Sequence, residues 1–128
     1  ILELMMALKD DLGASVMLIT HDLGVVAETA DRVIVMYAGK VMENAGVREL
    51  FRRPAHPYTM GLLGSIPNLN EDRERLQSID GVVPSPFSMP KGCRFHPRCS
   101  CAMDICRNEE PGFTSIADGH NVRCWRTA

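Results

Sequence analysis

The chain has no cysteine in its first 92 residues, no surplus of positive charge, no long apolar run and no internal repeat. Each absence closes off a class of function. Lys and Arg total 14 against 16 Asp and Glu, a formal charge of -2, which leaves no electrostatic footprint for a nucleic-acid partner. No apolar stretch approaches the roughly 18 residues of a membrane-spanning helix, so no helical crossing is expected. The opening Ile1-Leu2-Glu3-Leu4 has neither Met nor a basic leader, and the expectation is a processed chain or a piece of a longer one. Apolar residues make up 45%, as in ordinary globular material. What is concentrated is cysteine: Cys93, Cys99, Cys101, Cys106 and Cys124 all fall in the last 36 residues.

Helical spacing of Ile1, Leu2, Leu4, Met5, Met6, Leu8 and Leu12 predicts an amphipathic helix capped by Gly13. Ser15 to Thr20 is a short apolar run without alternation, which suits a strand covered on both faces, as in a parallel sheet. Leu23 to Ala30 reads as a helix with Asp22 as its cap. Asp31 and Arg32 position the strand that follows, Val33 to Tyr37, and the Ala38-Gly39-Lys40 turn leads into a hairpin partner over residues 40–44. The order is α/β, and a buried parallel strand needs more neighbours than two or three strands provide. Residues 1–45 are therefore expected to be the end of a larger sheet. Val47 to Arg53 makes a short helix that stops at Pro54, and His56-Pro57-Tyr58 starts another running toward Pro67. The charged stretch 68–77 reads as a solvated linker, and Pro84, Pro86 and Pro90 mark a loop leading into the cysteines.

Three blocks carry a resemblance. Leu18-Ile19-Thr20-His21-Asp22-Leu23, with Ala30-Asp31-Arg32-Val33 and Met36-Tyr37-Ala38-Gly39-Lys40, resembles the C-terminal part of ABC-transporter ATPase subunits, with His21 in the switch-histidine position. Arg53-Pro54-Ala55-His56-Pro57-Tyr58-Thr59, with Leu62-Leu63 and Pro67, is similar to the segment peculiar to oligopeptide, dipeptide and nickel importers. Gly92-Cys93-Arg94-Phe95-His96-Pro97-Arg98-Cys99, Ala102 to Cys106, Pro111 and Val122-Arg123-Cys124-Trp125 form the third block.

The resemblance implies a P-loop ABC ATPase remnant over 1–50, a helical connector over 51–90 and a small loop-rich cysteine module over 91–128. It implies a subunit on the cytoplasmic face of the inner membrane, held there by permease subunits. A second ATP-binding subunit, identical or paralogous, would sit beside it, and a solute-binding protein would deliver cargo. ATP with Mg2+ would be bound by the intact parent. The Gly-rich phosphate loop, the signature loop and the strand-end Asp and Glu are absent, so this stretch alone is not expected to hydrolyse ATP.

His21, at the end of a buried run, could donate to the γ-phosphate of ATP; the sequence alone favours a strand-end histidine that merely caps the next helix, and it is the resemblance that implies the phosphate role. The His56-Pro57-Tyr58 element could touch a partner subunit, but proline in a first helical turn with tyrosine packed behind it is a sufficient structural reason. The cysteine spacing is C-x5-C-x1-C-x4-C-x17-C. The family pattern selects Cys93, Cys99, Cys106 and Cys124 as metal ligands and leaves Cys101 spare. Zinc sites favour closer pairs, and wider spacing suits a larger object such as a [4Fe-4S] cluster, which the resemblance also implies; zinc and disulfides remain alternatives. With few large apolar residues after Lys91, the segment has no core of its own, so a metal centre would act as a staple. Its six basic residues against four acidic ones are too small a surplus to indicate RNA. The rival is a stand-alone zinc-binding interaction module without nucleotide chemistry.

Overall fold

Helix α1 (Leu2–Leu12) forms where the helical spacing predicts it, and Gly13 ends it at φ 60, ψ 27, the left-handed cap that donates back to the Lys9 carbonyl. The computed structural model describes residues 1–66 and 78–127. Residues 15–20 correct the first expectation: they form no strand, and Met17 and Ile19 stand 86% and 89% exposed. Apolar character alone does not make a strand; the backbone needs a neighbour to bond, and none of the described strands lies beside this run. Every described strand pairing is antiparallel, so the parallel arrangement is not seen among the described residues.

Helix α2 (Leu23–Thr29) is capped as its sequence indicates, with Asp22 Oδ1 accepting from the amides of Gly24 at 2.9 Å and Val25 at 3.2 Å. Strands β1 (Arg32–Tyr37) and β2 (Lys40–Gly46) make the expected hairpin. Its two turn residues, Ala38 at φ 47 and Gly39 at φ 79, are both left-handed, which matches the twist of the flanking strands. Asp31 accepts from Lys9 Nζ at 2.8 Å, while Arg32 Nη2 donates to Asn44 Oδ1 at 3.0 Å and to the Gly119 carbonyl at 2.9 Å. Helix α3 (Val47–Arg52) stops before Pro54, and α4 (Pro57–Gly64) starts with Pro57 in its first turn. The charged stretch 68–77, expected as a linker, lies outside the described residues.

After α5 (Asp104–Asn108) the chain forms a second hairpin, β3 (Thr114–Ala117) and β4 (His120–Val122), that the loop-rich reading did not anticipate. Strand β4 pairs with β2 through Glu43–Val122 and Asn44–Asn121, giving one sheet in the order β1-β2-β4-β3. The cysteine segment is thereby joined to the first hairpin. Tyr37, Met42, Cys93, Phe95 and Cys106 form one buried cluster; Val35, Ala45 and Leu50 form another, and Tyr58 packs against both. The rings of Tyr37, Tyr58 and Phe95 meet at centroid distances of 4.8 to 5.4 Å, the range of favourable tilted contacts.

Candidate functional site

The five cysteines, 31 positions apart from first to last, border a single cleft together with His56, Phe95, His96 and Trp125. The cleft holds about 320 Å3 of empty space, part of it open to solvent. Three local features bring the sulfurs there. The Cys93 amide donates to the Cys106 carbonyl at 2.9 Å, clamping the start of the segment to α5. Gly92, at φ 68, makes that approach possible, because a Cβ would meet the Cys106 carbonyl and lie 2.9 Å from the Arg107 carbonyl carbon. A single 3-10 turn over His96–Arg98 delivers Cys99, and β4 delivers Cys124.

Three arginines hold this segment against its neighbours by donating to backbone carbonyls. Arg94 Nη1 donates to the Ala38 carbonyl, Arg98 to Ile79 and Asp80 at 2.7 and 2.9 Å, and Arg123 to Val41 and Pro111 at 3.0 and 3.1 Å. Three of the six basic residues counted in the segment are thus engaged in packing.

Cys93, Cys106 and Cys124 are 9%, 8% and 8% exposed; Cys99 and Cys101 are half-buried, and all five are free thiols. Burial pushes the thiols of Cys93, Cys99 and Cys124 up, and nearby cysteines push each of them further. The amides of Phe95, Cys101 and Arg126 act the other way, favouring the thiolates of Cys93, Cys99 and Cys124 respectively. Burial outweighs these amides, so the net effect favours the neutral thiols of Cys93, Cys99 and Cys124. Among the described residues, no group of three or more His, Cys, Asp or Glu side chains is set to hold a single metal ion.

Behind the cleft lies a buried polar set that the sequence does not flag as functional. Glu43 of β2, fully buried, accepts from the amides of Ala55 at 2.8 Å and His56 at 2.9 Å and from His120 Nε2 at 2.7 Å. His56 Nδ1 accepts from the Tyr58 amide at 3.0 Å and so caps α4. Burial pushes the His56 imidazolium down to about 4, opposed by the Glu43 carboxylate and the Arg123 carbonyl. The alternation in β2 carries no hint of Glu43, since a glutamate in a strand normally reads as solvent-facing.

His21 is exposed, at the entrance to α2, makes no side-chain hydrogen bond among the described residues and does not border the cysteine cleft. The sequence-predicted cysteines are therefore brought together, and His21 stands apart from them.

Residues 42–106 match the family described as the oligopeptide/dipeptide transporter C-terminal region. The chain belongs to this family. The matched window takes in Glu43, His56 and four of the cleft cysteines, leaving His21 and Cys124 outside it. The similarity to curated relatives extends further. The oligopeptide transport ATP-binding protein AppD of Bacillus subtilis is 53% identical over 98% of this chain, and the dipeptide transport ATP-binding protein DppD of Escherichia coli K12 is 46% identical over 97%. The probable peptide ABC transporter ATP-binding protein y4tR of Sinorhizobium fredii is 52% identical over 99%. In each case the chain spans 38% of the relative's length. No helix among the described residues is long and apolar enough to cross a membrane.

Proposed function

We propose that this chain is the C-terminal part of the ATP-binding subunit of a peptide-type ABC importer. In the assembled subunit it would help couple ATP binding and hydrolysis to uptake of peptides or related solutes, at the cytoplasmic face of the inner membrane. Permease subunits and a second ATP-binding subunit would be its partners. The observation that carries the reading is identity of 53% and 46% to an oligopeptide and a dipeptide transport ATP-binding protein across nearly the whole chain, the switch-histidine stretch included.

His21 would be the γ-phosphate sensor: its imidazole donates a hydrogen bond to charge that grows during phosphoryl transfer. Its exposure, without a partner among the described residues, and the exposed apolar run before it are compatible with a site completed by other parts of the assembly.

Cys93, Cys99, Cys106 and Cys124 would hold a [4Fe-4S] cluster, whose positive irons supply the charge that buried thiolates otherwise lack. In such a cluster each cysteine binds a different iron, so its sulfurs stand farther apart than around one zinc ion. All four cysteines border one cleft, which is what supports this reading.

The full-length protein purified anaerobically should contain iron and acid-labile sulfide near four of each per chain, with little zinc. With its partner subunits it should turn over ATP, and His21→Ala should slow turnover by about 100-fold or more while leaving the iron content unchanged. A colourless protein carrying one zinc would overturn the cluster, and unaltered turnover in the His21 variant would overturn the sensor role.

A further inference from the structure

Five sulfurs border a cleft where a four-iron cluster needs four, and they are not equivalent. Cys93 and Cys106 are tied to each other through the backbone and belong to the buried core; Cys124 follows the paired strand β4. Those three are more than nine-tenths buried. The fourth side of the cleft is different. It is formed by one short turn, closed by the Ala102 amide on the Cys99 carbonyl at 3.2 Å, that carries two half-buried thiols. Cys99 packs inward against the core around Tyr37 and Phe95, while Cys101 borders the same cleft without joining that core and touches Ser100 Oγ at 3.7 Å.

We propose that Cys101 is a reserve ligand on the rim of this site, able to replace Cys99 on the iron nearest the turn. The proposal rests on the cluster reading above. Both thiols sit on the same turn, so exchange needs a rotation of side chains and a small shift of the turn, with no change in the three deep ligands. In chemical terms the Fe–S bond to Cys99 would break as the bond to Cys101 forms, the Cys101 thiol giving its proton to solvent and the released Cys99 thiolate taking one up; no electron is transferred. The reserve position also explains why a fifth cysteine is held at the cleft and not elsewhere on the surface.

The test uses the full-length protein, expressed and purified anaerobically, with alanine variants because a serine oxygen could itself bind iron. Cys101→Ala should keep the iron and sulfide of the unaltered protein. Cys99→Ala should keep more than about half, and the double variant less than about one tenth. Iodoacetamide mapping by mass spectrometry gives a second readout: Cys101 should be alkylated in the loaded unaltered protein and protected in loaded Cys99→Ala. A Cys99→Ala protein as empty as the double variant, from misfolding or otherwise, overturns the proposal, as does equal alkylation of Cys101 in both proteins. Absence of iron and sulfide from the unaltered protein would instead bring down the cluster reading beneath it.

Discussion

His56 does three things at once: it starts α4, fills space beside Phe95 and borders the cysteine cleft. The cap requires the neutral ring, because Nδ1 must accept the Tyr58 amide, and burial disfavours the cation. The folded state therefore binds a proton at His56 more weakly than the unfolded chain does. Stability from this residue is complete above about pH 6.5 and is lost as pH falls toward about 4. The gap between those values corresponds to about 3 kcal/mol. Thermal melts across this range should show Tm falling with acid. His56→Asn, which keeps a good helix cap without a titrating ring, should flatten that fall. An identical pH profile in the variant would show that other groups govern acid stability.

At the scale of elements, β2 is the organising strand. It pairs with β1 on one side and β4 on the other, and its Glu43 collects three donors from the α3–α4 corner and β4. Removal of that carboxylate leaves buried donors unsatisfied, so Glu43→Ala should cost about 3 kcal/mol or more, seen as a lowered urea midpoint. A change below about 0.5 kcal/mol would mean that water or a rearranged corner replaces it. This also marks where sequence reading stops. Helices α1 to α4 and the first hairpin were legible, because caps, prolines and periodicity are local signals. Strands β3 and β4 have four and three residues, too few for alternation to register, although Asp118-Gly119 between them is turn chemistry. Residues 15–20 mislead for the opposite reason: their composition suits a strand, but pairing depends on neighbours that composition cannot place. The cysteines were legible as a group, while Glu43 and His120 were not, since their burial is decided by which strands meet.

Over the whole molecule, the cysteine segment and the first hairpin share one core, and that has a mechanical consequence. Tyr37 and Met42 come from the hairpin, Cys93, Phe95 and Cys106 from the segment, and the Arg94, Arg98 and Arg123 carbonyl contacts cross between the segment and its surroundings. A bound centre that fixes the cysteines would therefore stiffen β4 and, through Glu43, the α3–α4 corner. Helix α1, which buries no residue, lies outside this network. Removal of the proposed metal centre from the full-length protein by chelation should then expose the backbone after Arg94, Arg98, Arg107 and Arg123 to trypsin. Cleavage there should accelerate by about tenfold or more, the effect of roughly 1.4 kcal/mol on local opening, while cleavage after Lys9 keeps its rate. Equal acceleration at Lys9 would point to global unfolding, and no acceleration at the four arginines would mean that the shared core, without any metal, already holds the segment in place.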